Sequence, residues 1–149
     1  MRSVIQRVSH CTVRVADQKV GTIGAGVLIL LGVEKGDTEE DLRYTADKIL
    51  GLRIFDDQDG KMNLSLNDIK GEIMVVSQFT LLGDVRKGRR PSFIHAAPPE
   101  DGKRLYQQMI DYLLSKGASV QSGQFQADMQ VDLVNNGPVT IMIDSRKTF

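Results

Sequence analysis

Three polar side chains close an apolar run near the middle of the chain. The stretch 73–79 predicts a strand in the centre of a sheet. Ser77, Gln78 and Thr80 lie at its end, after the apolar residues that begin at Ile73. Because polar groups are costly in a dry core, such a local exception is typical of a functional site. An exposed strand end with ordinary hydroxyl groups is the alternative, and the residues alone leave both interpretations open.

A second polar segment, Asn135 to Thr140, lies between two apolar stretches near the end of the chain. Its sequence, Asn-Asn-Gly-Pro-Val-Thr, combines the residue types that form tight turns. On this pattern alone, a hairpin turn is favoured over a functional loop.

Histidine and cysteine are scarce. The chain has two histidines, His10 and His95, and one cysteine, Cys11, and none of them belongs to a cluster with the spacing of metal ligands. We therefore expect no metal. Neither histidine has a sequence context that marks it as a catalytic base, so we interpret both as surface or hydrogen-bonded residues.

Glycine motifs that bind cofactors are also missing. The glycines of residues 21–26 have the wrong spacing for a dinucleotide fingerprint, and there is no phosphate-binding glycine loop and no Gly-x-Ser-x-Gly nucleophile elbow. We interpret residues 21–26 as a turn between strands and expect no cofactor.

Length and composition predict one cytosolic domain. With 149 residues, 41% of them hydrophobic, the chain can bury one core. The unpaired Cys11 and an opening apolar stretch too short for a signal peptide favour a reducing, cytosolic setting. The longest apolar run, residues 25–33, is far below the roughly 20 residues that a membrane helix needs. It predicts a strand buried on both faces, and no membrane role.

The overall charge is balanced. The chain has nineteen basic and nineteen acidic residues, so its net charge is zero. This argues against a protein that binds nucleic acid through its overall charge. Any contact with RNA must therefore be local.

The first half of the chain predicts a hairpin, a strand and a helix. The β-branched residues of Val4 to Val15, followed by the polar residues 16–19, predict an N-terminal hairpin. Asp37 and Glu40 have the spacing of a capping box, and apolar residues then recur at helical spacing as far as Gly51.

The second half predicts a longer helix among strands. The helix follows Pro98 and Pro99 and ends at Lys116-Gly117. The predicted strands lie at 53–55, 73–79, 119–125, 129–133 and 139–143. Because the last two alternate strictly between apolar and polar residues, the sheet should be mostly antiparallel. We predict an α/β fold with a mostly antiparallel, curved or barrel-like β-sheet, two main helices packed on it, and a single domain covering residues 1–149.

Taken together, the two polar segments resemble the signatures of a known family. Ser77 to Leu81 is similar to the first signature of the D-aminoacyl-tRNA deacylases, and Asn135 to Thr140 is similar to the second, which is built around a Gly-Pro pair. Residues 1–8, 59–63 and 83–91 also resemble family features, so the resemblance covers essentially the whole chain. It implies an enzyme that hydrolyses the ester of D-aminoacyl-tRNA as a homodimer.

The resemblance also implies how chirality is judged. In this family the Gly-Pro bond is cis, and the loop that carries it reaches from one subunit into the active site of the other. The carbonyl groups of Gly137 and Pro138 would then accept hydrogen bonds from the α-amino group of the substrate, and crowding would exclude an L side chain. Glycine has no side chain, so glycyl-tRNA should pass this filter.

For the hydrolysis, the resemblance places the backbone amides of Phe79 and Thr80 near the scissile carbonyl, with Ser77 and Gln78 shaping the pocket. Direct attack by water, assisted by the 2'-hydroxyl of the terminal adenosine, is favoured. A nucleophilic Thr80 is the alternative, although no adjacent base is visible to activate it.

Further roles follow from the family pattern. Arg7 would brace the Gly-Pro loop, with an ordinary surface ion pair as its alternative role. Met142 would line the pocket, or else belong to the core. The remaining candidate substrate-binding residues are Asn135, Asn136, Val139 and Thr140.

The expected partner is the aminoacylated 3' end of tRNA. Four basic residues in five, Arg86, Lys87, Arg89 and Arg90, supply local positive charge that would contact its phosphates. A solvated charge run is the alternative. Two other classes of protein remain open: an RNA-binding homodimer without catalysis, and a structural homodimer whose Gly-Pro loop is only a turn.

Overall fold

The computed structural model describes residues 1–149, which form eight strands, two helices and one 3₁₀ turn. The strands are β1 Arg2–Val15, β2 Gln18–Ile23, β3 Gly26–Gly32, β4 Phe55–Asp56, β5 Met62–Leu64, β6 Glu72–Ser77, β7 Ser119–Ser122 and β8 Gln130–Asp144. The helices are α1 Glu39–Gly51 and α2 Pro99–Ser115, and the 3₁₀ turn is Phe79–Leu82.

The main sheet is organised around the long strand β1. Strands β2, β3 and β8 all pair with β1 in the antiparallel sense, whereas β6 pairs in parallel with both β3 and β7. A Cβ placed on Gly21 of β2 would lie 2.9 Å from the carbonyl oxygen of Ser122, so strands from opposite ends of the sheet approach each other. The sheet is thus mostly antiparallel and nearly closed into a barrel, as the sequence predicted.

The apolar strands β3 and β6 lie between two cores. Ile29 and Val75 face the larger core, which the helices cover, whereas Leu28 and Met74 face a smaller core inside the curved sheet. Side chains of a strand alternate between its faces, so a strand covered on both faces must be apolar at every position. The predicted doubly buried strand is confirmed for residues 26–32, whereas Ala25 is exposed and lies outside it.

The two helices differ in how well their starts were predicted. Helix α2 begins at Pro99 and is followed by Gly117 with φ +83°, as expected. Helix α1 does not begin with the Asp37 and Glu40 capping box. Thr38 caps it, because its backbone N–H and hydroxyl both donate to the Asp41 carboxylate, at 2.8 and 3.0 Å.

Asp37 has other partners. Its carboxylate accepts hydrogen bonds from the Met1 ammonium group and from the Glu34 amide, both at 2.7 Å. It is therefore not available to cap α1.

The hairpin predicted at Asn135–Pro138 is wrong. Residues 130–144 form one continuous strand, and both of its halves pair with β1, from Arg14 opposite Gln130 to Arg2 opposite Asp144. The 14 residues of β1 are enough to pair with both halves of β8, one after the other along the same strand. The register shifts opposite Arg7, where the chain bulges without reversing.

The remaining differences are small. Ala16 and Asp17, with φ values of 47° and 64°, form the turn of the expected N-terminal hairpin, so residues 18 and 19 already belong to β2. Of the strand expected at 53–55, only Phe55 lies in a strand, β4, and the strand expected at 119–125 ends at Ser122 as β7. Neither α1 nor α2 combines the length and the hydropathy that a membrane-spanning helix requires.

Candidate active site

A cavity of about 480 Å³ opens where β6 ends. Ser77, Gln78 and Phe79 form one wall, and eleven of the sixteen residues that line the cavity are hydrophobic. The opposite walls come from β3, from the start of α2 and from the segment that connects β7 to β8. The polar exception noticed in the sequence therefore lies at the mouth of an apolar pocket.

The backbone at this wall leaves two amides free. Gln78 makes the last sheet bond, from its N–H to the carbonyl of Leu31 at 2.7 Å, and the chain then enters the 3₁₀ turn. In that turn the N–H of Leu81 donates to the carbonyl of Gln78 at 3.2 Å. Because a 3₁₀ bond reaches back three residues, the amides of Phe79 and Thr80 have no partner in the turn. They are available to a ligand.

Not all side chains of the first motif line the cavity. Ser77, Gln78 and Phe79 line the cavity, whereas Thr80 does not, and its exposed hydroxyl accepts a hydrogen bond from the side-chain amide of Gln78. Thr80 has no histidine or carboxylate among its hydrogen-bond partners. Its position suits a backbone role better than a nucleophilic one.

Tyr106 is a residue of the cavity that the sequence interpretation missed. Its hydroxyl donates to the carbonyl of Val75 at 3.0 Å and lies 3.4 Å from that of Gly123. The ring packs against Phe125, with centroids 5.7 Å apart, and burial raises the pKa of the phenol. Tyr106 thus ties α2 to the strand that ends in the motif. A tyrosine next to Leu105 in the apolar stripe of α2 is the signal that could have identified it.

The electrostatics of the cavity are simple. Tyr106 is its only ionisable side chain, and neither histidine lines it. His10 lies 3.6 Å from Asp132 on the exposed side of the sheet, and His95 is exposed. No group of three or more His, Cys, Asp or Glu residues is placed to hold a metal ion. The cavity side chains therefore offer no general base.

The second motif lies in β8, opposite Arg7. The peptide bond that precedes Pro138 is cis, and Gly137 has φ +130°. Arg7 is 7% exposed and donates from Nε to the carbonyl of Asn136 at 2.9 Å. Its Nη1 donates to the carbonyl of Ile54 at 2.7 Å.

Arg7 is therefore not an ordinary surface residue. It lies between the Gly-Pro loop and the residues that lead into β4, where Asp56 is 3.3 Å from Nη1.

Within one chain the two motifs do not meet. Ser77 is in register with Leu31, Leu31 with Ser3, and Ser3 with Ile143, so β1 and β3 lie between the motifs. Three strand spacings separate them by about 14 Å across the sheet. Neither Gly137 nor Pro138 lines the cavity, and both are exposed.

Other residues of the second motif also bond to one another. The side chain of Asn135 donates to the Thr140 hydroxyl at 3.0 Å and accepts from the Val139 amide at 3.1 Å. Met142 is 56% exposed and does not line the cavity, so a core role for it is wrong.

The basic segment forms a closed loop. Asp84 and Ser92 exchange two backbone hydrogen bonds, at 2.8 and 2.9 Å, which fix its base. Arg86 binds the Asp84 carboxylate through Nε at 2.9 Å and Nη2 at 2.6 Å, and this contact holds the pKa of Asp84 well below its usual range. The three other cations, which are exposed and have no carboxylate within salt-bridge distance, are Lys87, Arg89 and Arg90.

Comparison with known proteins places this chain in a class of enzymes that act on aminoacyl-tRNA. Residues 4–144 match the model of the family described as D-Tyr-tRNA(Tyr) deacylase. The D-aminoacyl-tRNA deacylase of Thermotoga petrophila is 58% identical over 149 residues, which is 100% of both chains. That of Geobacter sulfurreducens is 56% identical over 146 residues, covering 98% of this chain and 96% of the relative. The chain therefore belongs to the D-Tyr-tRNA(Tyr) deacylase family.

Two solved structures share the fold. One, named c-Myc DNA unwinding element binding protein, has a TM-score of 0.91 and 39% identity, and covers 97% of this chain and 98% of its own. The other, described as a probable eukaryotic D-amino acid tRNA deacylase, has a TM-score of 0.80 at 23% identity, and covers 96% and 98%. The second likeness concerns the fold alone.

Proposed function

We propose that this chain hydrolyses the ester bond that joins a D-amino acid to the 3' end of tRNA, and that it rejects L-aminoacyl-tRNA. The observation that carries the proposal is the pair of unpartnered amides at Phe79 and Thr80, beside an apolar cavity, in a member of the deacylase family. Family membership also argues against the two other classes, the RNA-binding homodimer without catalysis and the purely structural homodimer.

The chemistry asks little of side chains, because an aminoacyl ester is already activated. Water attacks the ester carbon, the bond to the ribose oxygen breaks, and that oxygen takes a proton. The amides of Phe79 and Thr80 stabilise the negative charge on the carbonyl oxygen, and each such donor contributes on the order of a hundredfold or more in rate.

Because the cavity side chains offer no base, we assign proton transfer to the neighbouring 2'-hydroxyl of the terminal adenosine. A substrate with 2'-deoxyadenosine at its end should therefore react far more slowly. Unchanged turnover of that substrate would leave the nucleophilic Thr80 as the better alternative, and a burst of acyl-enzyme would then be seen.

The chiral filter is proposed to come from a second copy of the chain. Gly137 and Pro138 are exposed, lie outside the cavity of their own chain and are held by Arg7. Placed in a partner's cavity, their carbonyl groups would accept hydrogen bonds from the α-amino group of the substrate and leave no space for an L side chain. Glycyl-tRNA, which has no side chain to exclude, would also be hydrolysed.

A subunit complementation experiment tests this arrangement. One chain carries a defect at Gln78 and the other a defect at Gly137, and the two are co-purified as a mixed dimer. If the loop acts on the partner, one of the two sites is intact and activity returns to about half. If each chain used its own loop, every site would carry one defect and activity would not return.

The proposed tRNA contact is the basic loop, with Lys87, Arg89 and Arg90 as its free cations. Arg86 is the weakest of the four candidates, because Asp84 already neutralises it.

Since aminoacyl-tRNA is made and used where translation occurs, we assign the enzyme to the cytoplasm.

A deacylation assay decides the proposal. Purified protein is incubated with D-tyrosyl-tRNA and with L-tyrosyl-tRNA, without added metal, and loss of each ester is followed. We expect the D ester to be lost and the L ester to persist. Loss of neither would favour an RNA-binding protein without catalysis.

A further inference from the structure

Two aromatic side chains form an unusual surface beside the cavity. Phe79 is 56% exposed, and its ring meets that of Phe93 edge to face, with centroids 5.0 Å apart and planes at 70°. We call this pair the aromatic ledge. One end of it, Phe79, lines the cavity mouth. Phe93 is half-buried, so the ledge presents the exposed ring of Phe79 and part of the ring of Phe93 to solvent beside the cavity.

The ledge is held in place by the chain around it. A Cβ on Gly83 would lie 3.1 Å from Cε1 of Phe93 and 3.1 Å from the carbonyl oxygen of Thr80. A larger residue at position 83 would crowd both groups, and two backbone hydrogen bonds between Asp84 and Ser92 close the loop that precedes Phe93. These contacts fix the segment that carries Phe93 next to Phe79.

Positive charge lies at the other end of the ledge. Lys87, Arg89 and Arg90 belong to the loop that Asp84 and Ser92 close, and none of them has a carboxylate partner. The order along the surface is thus cavity, aromatic rings, free cations. This order matches a single nucleic acid strand, whose bases stack on aromatic faces while its phosphates contact lysine and arginine.

We propose that the aromatic ledge stacks the unpaired nucleotides that precede the terminal adenosine of the tRNA, while the basic loop holds their phosphates. This inference rests on the proposed function, because it places the reacting ester in the cavity. A second copy of the chain is a poorer occupant, since a symmetric contact through this surface would bring the free cations of both copies together.

The experiment compares two esters that differ only in the nucleotides under discussion. One is D-tyrosyl-tRNA, and the other is D-tyrosyl-adenosine, which has the terminal nucleoside but nothing before it. Phe93→Leu keeps an apolar side chain but removes the ring, and Phe93→Tyr keeps the ring. Stacking on an aromatic side chain changes affinity by roughly 5- to 150-fold per base.

We expect Phe93→Leu to raise KM for D-tyrosyl-tRNA at least about fivefold and to leave kcat/KM for D-tyrosyl-adenosine unchanged. Phe93→Tyr should behave as wild type with both esters. An equal fall in kcat/KM for the two esters would show a merely structural role for Phe93. No fall for either ester would show that the ledge takes no part in recognising the tRNA. If wild type hydrolyses neither ester, it is the proposed function that fails.

A spectroscopic measurement on the wild-type chain covers the case in which Phe93→Leu does not fold. A short RNA ending in C-C-A carries 2-aminopurine in place of the base before the terminal adenosine, and the chain contains no tryptophan to interfere. Stacking should quench the emission of 2-aminopurine on binding. Binding without quenching overturns the proposal. So does a mass measured by light scattering that falls in Phe93→Leu, because the ledge would then be a contact between copies.

Discussion

The Nε atom of Arg7 donates a hydrogen bond to the carbonyl oxygen of Asn136, 129 positions away in the sequence, at 2.9 Å. The same guanidinium donates to the carbonyl of Ile54 at 2.7 Å. One side chain of β1 thus joins the Gly-Pro loop to the segment before β4. In the proposed function this loop serves a partner subunit, so Arg7 fixes on one chain a group that works on the other.

Replacing Arg7 with lysine should weaken both stability and chiral discrimination. A lysine ammonium group is a point charge and cannot reach both carbonyl groups as the planar guanidinium does. Leaving one buried carbonyl unsatisfied costs about 1–3 kcal/mol. Urea denaturation should show a lower midpoint, and the ratio of kcat/KM for D- over L-tyrosyl-tRNA should fall. Arg14→Lys is the matched control, since Arg14 lies on the same strand and makes no side-chain hydrogen bond. A wild-type ratio of kcat/KM for D- over L-tyrosyl-tRNA in Arg7→Lys would show that chiral discrimination does not depend on the contact between Arg7 and the loop.

Gly137→Ala should abolish most of the activity. At φ +130°, a Cβ would lie 2.9 Å from Nη2 of Arg7 and 2.8 Å from Cγ2 of Val139, so the loop must move. Backbone conformations of this kind cost about 1–3 kcal/mol in a residue with a side chain, and a barrier raised by about 1.4 kcal/mol already slows a reaction tenfold. We expect kcat/KM for D-tyrosyl-tRNA to fall at least about tenfold.

Gly117→Ala is the control for that change. Gly117 also has a positive φ, +83°, but a Cβ there meets nothing within 4 Å, and it lies at the far end of α2 from the cavity. It should lose stability by about 1–2 kcal/mol and keep its activity. If both variants behaved alike, general backbone strain would explain the effect, and the loop would have no special place in the reaction.

Removal of Arg89 and Arg90 together should flatten the salt dependence of tRNA binding. Each phosphate contact contributes about 0.7 to 0.9 to the slope of log affinity against log salt, so the slope should become shallower by about 1.4 to 1.8. The weakening should be similar for all tRNA species, because phosphates carry no sequence information. The double variant of Arg43 and Lys48 on α1 removes the same charge elsewhere and should leave the slope near that of wild type. An unchanged slope in the loop variant would exclude these two residues as phosphate contacts.

The elements that could be predicted from the sequence are those whose signals are local. Residues 25–33 are apolar without interruption, and α2 begins at a proline and is followed by a glycine, so each segment carries its own evidence. The start of α1 was displaced by one residue because Asp37 and Thr38 are both good capping residues. Which of them caps depends on Met1, which is distant in the sequence and occupies the Asp37 carboxylate.

The candidate site also has one part with a local signal in the sequence and another that depends on distant residues. A site at the end of β6 could be anticipated, because polar residues ended a buried strand, whereas the role of the amides next to Gln78 came from the family resemblance. The path of β8 could not, because two alternating runs around Asn-Asn-Gly-Pro look like a hairpin whether or not they fold back. What decides is the length of β1, which pairs with both halves. The contact of Arg7 with Asn136 has no sequence signal at all and came only from the family resemblance.

Cys11 provides a test of the claim that no side-chain nucleophile takes part. Its thiol is fully buried, and burial, with a contribution from Asp132, raises its pKa to about 11. At pH 8, three units lower, only about one thiol in a thousand would be ionised, and the thiolate is the reactive form. Iodoacetamide should therefore leave the folded chain unmodified and its deacylase activity intact, while the chain unfolded in urea gains one carboxamidomethyl group by mass spectrometry. Because a raised thiol pKa favours the folded state below pH 9, the protection should decline only as the pH rises from 9 towards 11. Loss of activity in step with alkylation at pH 8 would mean that Cys11 is accessible and takes part in the reaction, against the placement of the chemistry at Phe79 and Thr80.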